Sequence, residues 1–246
     1  MRGRVSFFRV RCYTLCMKHE QPLFSGYVEP VRLSDAAAKR SFFLKNLPAF
    51  SFPRNPDWAV ATPEDCHALW DKYAMPEHIR KHSTVVAAFA ACLAKKLAEQ
   101  GADIHVPSVL ASALLHDLGK YYTITHGGSH GQVGGAWVMN EIRNPLIAQG
   151  VLHHVGWPWP VDETVDPWLL AYCIIYADKR VMHDAVVTPE ERYTDLLARY
   201  GITDAAKGRI SFLHEQGLKI EAALSRRLKV NLHEHSFDSG RLVKRT

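Results

Sequence analysis

An all-α fold is what this chain predicts, on three observations. Apolar residues recur at helical spacing in successive segments, no stretch alternates with period two for long enough to be a strand, and helix-start signals such as Thr62-Pro63-Glu64-Asp65 punctuate the chain. With 246 residues and 47% hydrophobic content, the chain can build one generous core and is short for two full domains.

The elements follow in order. Residues 1–60 read as an N-terminal arm, partly irregular, because Pro22, Pro30, Pro48, Pro53 and Pro56 interrupt it; a short helix over Ser34 to Leu44 is the exception. Met17 offers an alternative start. Thr62-Pro63-Glu64-Asp65 then supplies a hydroxyl cap, a proline in the first turn and acids facing the positive end of the helix dipole. The next helix runs from Pro76-Glu77 to before Gly101, and its stripe of Val85, Val86, Phe89, Leu93 and Leu97 carries His82 on the same inward face. A third covers Pro107 to Leu118. Gly119 to Gly128 reads as a loop, after which His130 opens a helix whose Gly134 and Gly135 permit close packing. The apolar segment Leu146 to Leu152 ends on His153 and His154. Asp166-Pro167 starts a buried helix with Leu170, Ile174, Asp178 and Val181 on one stripe. Residues 61–200 thus form the main helical domain, and 201–246 a C-terminal amphipathic helix, from Thr203 to Lys229, with a basic tail expected to be a solvated face and a disordered end.

Net charge is +5, with Lys and Arg concentrated at the two ends and around the His-rich middle. That favours an anionic ligand; with no nucleic-acid reading module or basic-aromatic repeat, a small phosphorylated substrate ranks above nucleic acid. The five cysteines (Cys12, Cys16, Cys66, Cys92, Cys173) are odd in number and three fall in apolar helical patterns, which fits a reducing cytoplasm. Cys12 and Cys16 lack a second pair for a four-thiolate zinc site. No apolar run of membrane-spanning length occurs, and the Arg-interrupted N-terminus is no signal-peptide core, so the expectation is a soluble cytoplasmic protein; the sequence leaves its oligomeric state open.

The chemistry lies in Leu-Leu-His116-Asp117-Leu-Gly-Lys120, where two metal-binding groups interrupt an apolar run. An ionised Asp in a low-dielectric interior needs a counter-ion or a full set of hydrogen bonds, and a shared divalent cation supplies both demands of an adjacent imidazole and carboxylate. Taken alone, the pair also fits a helix end, with His116 as cap and Asp117 starting the turn at Gly119. Four ligand-type residues on three separate helices, His82, His116, Asp117 and Asp178, shift the balance toward a metal.

In this order the residues resemble the H…HD…D signature of the HD-domain metal-dependent phosphohydrolase superfamily. Pro-Glu-His-Ile-Arg-Lys-His82-Ser is similar to its first-histidine helix, Leu-Leu-His116-Asp117-Leu-Gly-Lys120 to its HDIG variant, and Tyr-Ala-Asp178-Lys to its last-aspartate helix. The resemblance implies an all-helical bundle with the metal site in its core, in which His82, His116, Asp117 and Asp178 hold one metal. Some members hold a second, bridged by the HD aspartate, and His130 with His153 or His154 stand in the matching order here. Helix-terminal histidines also serve as caps, so these three remain open. The ions would be one or two of Mn, Fe, Zn, Co or Ni.

The implied activity is a metal-dependent phosphohydrolase, cleaving a mono- or diester of a nucleotide or related small molecule with a metal-activated water. Asp117 and Lys120 would be the catalytic residues, and Lys120, Lys81, Arg143 and Lys179 would meet the substrate's charge; each lysine or arginine also fits a solvated surface position. The chain lacks the GYP extension of the cyclic-dinucleotide phosphodiesterases: Val-Gly-Trp-Pro-Trp-Pro follows His154. Two other readings stand beside this one, a catalytically silent module that binds a nucleotide as a regulatory sensor, and a di-iron oxygenase on the same scaffold.

Overall fold

A computed structural model of the chain describes residues 54–161, 169–238 and 241–244. The expected arm, the helix at Ser34 to Leu44, Cys12, Cys16, Met17 and the Asp166-Pro167 helix start lie outside these residues, apart from the arm's last seven positions.

The described chain is helical almost throughout. α1 (Pro63–Lys72) begins with a reciprocal capping box, Thr62 accepting from the Asp65 N–H while Asp65 accepts from the Thr62 N–H. α2 (Glu77–Glu99) buries Ile79, His82, Val86, Phe89, Leu93 and Leu97 along one face. α3 (Val106–Leu115) stops one residue short of His116, which with Asp117 sits in the turn that follows. α5 (His130–Ile142) and α6 (Pro145–His153) pack as a hairpin, with Asn144 capping α6 through its side-chain oxygen.

At the centre lies α7 (Leu169–Lys179), whose residues from Leu169 to Ala177 are all buried. A helix buried on every side must be surrounded, and α2, α3, α6 and the last long helix α9 (Asp204–Leu228) do this. Each fully buried Ile or Leu there contributes about 1.5–3 kcal/mol, and Ile174 is among the largest side chains buried there. Polar links fix the helices in register. Trp70 donates to the Leu114 carbonyl at 2.9 Å, Ser112 to the Ile147 carbonyl at 2.9 Å, and the Gln216 side chain clamps both backbone groups of Trp157 at 2.7 and 2.6 Å. Trp157 is therefore core.

Three expectations need correction, and one helix has no counterpart in the sequence reading. The segment after Gly119 is not a loop: α4 (Lys120–His126) forms there, short and with no buried residue, so no apolar stripe announces it. Val181 belongs not to the buried helix but to a two-residue hairpin, β1 (Val181–Met182) with β2 (Ala185–Val186). α8 (Pro189–Tyr200), capped by a Thr188–Glu191 box, fills a stretch to which the periodicity assigned nothing. Finally, the basic tail is not a simple disordered end: a 3-10 turn (Leu232–Glu234) leads into β3 (His235–Asp238), which pairs antiparallel with β4 (Arg241–Lys244). These strands are too short to show alternation. Among the described residues no helix is long and apolar enough to cross a membrane. The described cysteines, Cys66, Cys92 and Cys173, are buried.

Candidate metal centre

Residues from five segments meet around Asp117. His82 comes from the inward face of α2, His116 and Asp117 from the turn ending α3, His130 from the first residue of α5, His154 from the end of α6, and Asp178 from the last turn of α7. Close packing brings them together. A Cβ on Gly119 would stand 2.6 Å from the His130 carbonyl oxygen and 2.7 Å from the Gly134 nitrogen, so glycine at 119 is what lets α5 approach the turn.

Asp117 is 1% exposed and divides its two oxygens between two sides. Oδ2 faces His116 Nε2 at 3.5 Å and His82 Nε2 at 3.9 Å; Oδ1 faces His130 Nε2 at 3.4 Å and His154 Nε2 at 3.6 Å. Asp178 Oδ1 lies 3.2 Å from His82 Nε2 and 3.9 Å from His116 Nε2. Two ligand groupings result, His82 with His116 and Asp178, and His116 with Asp117 and His154.

The outer ring nitrogens explain why the inner ones point as they do. Nδ1 of His82, His116 and His154 each meets a backbone carbonyl, of His183 at 2.8 Å, Ala113 at 2.7 Å and Val151 at 2.7 Å. A carbonyl only accepts, so each Nδ1 carries the proton and each Nε2 presents a lone pair inward. His116 Nε2 is buried with no hydrogen-bond partner. An unsatisfied lone pair beside two carboxylates calls for a cation, and the donor set of imidazole nitrogens with carboxylate oxygens suits a divalent transition metal. His130 Nε2 and His154 Nε2 stand 3.0 Å apart, about the spacing of adjacent ligands bound to one ion at about 2.1 Å and right angles.

Electrostatics agree with this. Burial works to raise the Asp117 pKa, but Lys120 and the His116 and His154 contacts hold it well below the carboxylate range. Asp178 is held down in the same way against burial, by Lys179 and His82. For His116, burial favours the neutral ring, yet Asp117 and Asp178 overcome it and raise the pKa. His130 is pushed down to about 3 and His154 is lowered too, each first by burial, so both stay neutral. Lys120 Nζ donates to Asp117 Oδ2 at 2.6 Å, while Lys179 Nζ reaches Asp178 Oδ2 and the Val155 carbonyl, both at 3.2 Å.

Three expected residues stand elsewhere. His153 turns away from the cluster: its ring packs edge-on against Trp157 and Trp159, at centroid distances of 5.6 and 5.4 Å, because the α6 helical rotation sends successive residues in different directions. Arg143 is exposed at the far end of α5, in a left-handed cap at φ 56°, and a helix rising about 1.5 Å per residue puts it roughly 20 Å from His130. That separation sets it apart from the cluster. Lys81, next to His82 on α2, is exposed on a different face of the helix. His126 stacks on Tyr122 at 4.3 Å on the surface.

With this geometry in place, one comparison identifies the domain: residues 79–195 match the family model described as HD domain. The chain carries an HD domain. No curated protein and no solved structure matches the chain. The matched span begins in α2 just before His82 and ends within α8, so it encloses the whole HD-domain cluster. It also takes in Arg192, which no motif in the sequence had singled out and which is buried.

Proposed function

We propose that this protein is a metal-dependent phosphohydrolase acting on a small phosphorylated substrate, a nucleotide or a related phosphoester. His82, His116, Asp117 and Asp178 would hold one divalent ion, and Asp117 with His130 and His154 a second. An ion bound there lowers the pKa of water toward neutrality and draws charge from a phosphoryl group. The observation that carries the reading is Asp117 itself, a buried carboxylate whose two oxygens face two different imidazole pairs.

The chain's own groups supply the rest. The backbone carbonyls of His183, Ala113 and Val151 fix three imidazoles in orientation, so little reorganisation is needed on ligand binding. Lys120 remains charged, since Asp117 and Asp178 outweigh the burial that disfavours its charge. About a third of its side chain is exposed, so an ammonium donor is available at the mouth of the site to a phosphate oxygen. Lys179 keeps Asp178 ionised from the opposite side.

The test is a turnover screen of nucleoside monophosphates, cyclic dinucleotides and dinucleoside polyphosphates with added Mn²⁺, Fe²⁺ or Zn²⁺, run beside Asp117→Asn. Metal-dependent release of phosphate or nucleotide by the wild type and its loss in the variant support the reading. Nucleotide binding with no turnover under any metal would favour a regulatory sensor, and oxygen consumption with iron would favour an oxygenase.

A further inference from the structure

Arg192 sits one turn into α8, its backbone N–H bonded to the Thr188 carbonyl at 3.0 Å and its side chain 11% exposed. The start of α8 is locked to the metal centre's own helix. Arg180, two residues past Asp178, exchanges two hydrogen bonds with Val187: its Nε donates to the Val187 carbonyl at 2.7 Å, and the Val187 N–H donates back at 2.8 Å. The β1–β2 hairpin therefore folds α8 back against α7, and Arg192 comes within electrostatic reach of Lys120 from a distant part of the sequence.

Two features of Arg192 point to a ligand. Its Nε is buried with no hydrogen-bond partner, which a guanidinium N–H rarely tolerates. Its charge is also incompletely matched. Nη1 donates to Asp195 Oδ2 at 2.9 Å, but that same oxygen accepts from Arg199 Nη2, so two guanidiniums share one carboxylate and the trio keeps one net positive charge. Arg192 also works weakly against the charge on Lys120, so the two cations lie within electrostatic reach of one another.

The charges at the centre leave room for that anion. Lys120 is charge-paired with Asp117 and Lys179 with Asp178, two ammoniums against two carboxylates. Arg192 and the ions are then left to meet a ligand, and a phosphate dianion complements them. We infer that Arg192 is a substrate-binding residue, its free Nε–H taking a non-bridging oxygen of a phosphate group at the metal centre, together with the Lys120 ammonium. This rests on the phosphohydrolase reading above.

The experiment is calorimetric titration of inorganic phosphate into the full-length, Mn²⁺-loaded protein, as wild type, Arg192→Gln, Arg192→Lys and Arg199→Gln, with metal content measured on each. Arg192→Gln weakens phosphate by about tenfold or more, as expected for loss of a charge-assisted hydrogen bond. Arg192→Lys, which keeps the charge without the Nε–H, weakens it by roughly threefold or more and stands in if the Gln variant fails to fold. Arg199→Gln, which perturbs the same carboxylate from the outer side, stays within about twofold. All keep wild-type metal content. Wild-type affinity in the Arg192 variants overturns the inference and leaves the phosphohydrolase reading intact; so does an equal loss in Arg199→Gln, since that would trace to helix packing. A metal-loaded wild type that binds no phosphate overturns both.

Discussion

His82 Nδ1 donates to the backbone carbonyl of His183 at 2.8 Å, joining α2 to the turn of the β1–β2 hairpin. His183 holds a left-handed conformation, φ 57°, and that twist aims its carbonyl at the ring. A surface turn thus sets the orientation of a buried imidazole.

The first prediction concerns that turn. His183→Gly adopts positive φ freely and keeps metal affinity within about twofold, whereas a β-branched His183→Val is strained there by about 1–2 kcal/mol. Displacing the carbonyl lowers metal affinity by about tenfold or more. Equilibrium dialysis of both variants checks this, and equal affinities would refute the link.

Metal affinity should depend on pH through His116. Its pKa is raised above the usual 6.5, because the neighbouring carboxylates overcome the opposing effect of burial. A raised histidine pKa stabilises the metal-free fold fully below the unfolded value, and that contribution is lost as pH rises through the folded one. The proton also occupies the nitrogen a metal needs, so affinity climbs by about tenfold per pH unit until the folded pKa is passed. Dialysis with Zn²⁺ from pH 6 upward measures the slope, and a flat profile would contradict the competition.

Much of the centre was legible in the sequence because its ligands interrupt strong apolar patterns. His82 and Asp178 lie on buried stripes of α2 and α7, where a polar residue is conspicuous. His153 and His154 could not be separated, since they are neighbours and only the rotation at the end of α6 decides which one faces Asp117. Arg192 was hidden because α8 is mostly half-exposed, its buried residues being Pro189 and Arg192, so no stripe marked it. The Thr188-Pro189-Glu190-Glu191 start carried the same cap signal as Thr62-Pro63-Glu64-Asp65 and would have located that helix. α4 is held by its ends, with the Thr123 N–H on the Gly119 carbonyl at its start and the Gly127 N–H on the Thr123 carbonyl at its close, which hydrophobic periodicity does not register.

Two glycines should respond oppositely to alanine. At Gly119 the added methyl meets backbone of α5, which cannot rotate away, so Gly119→Ala costs about 1–3 kcal/mol and weakens metal binding by moving His130. At Gly208, inside α9, nothing lies within 4 Å, so Gly208→Ala stabilises by about 0.5–1 kcal/mol. Urea denaturation of the two variants gives both signs.

Arg180 is fully buried, donating to the Val187 carbonyl, to the Tyr176 hydroxyl and to the Leu232 carbonyl, with Glu221 at 4.0 Å. Arg180→Met would leave Glu221 buried without that charge and release the C-terminal turn, costing about 3–5 kcal/mol. A loss below about 1 kcal/mol in chemical denaturation would show that the other contacts of Glu221 suffice.

Anomalous diffraction from crystals grown with Mn²⁺ addresses the centre itself. The expected map has a peak within bonding distance of His82 Nε2, His116 Nε2, Asp117 and Asp178, with a second beside His130 and His154 if two ions bind. Well-ordered side chains with no peak among them, or metal bound only elsewhere on the protein, would contradict the assignment.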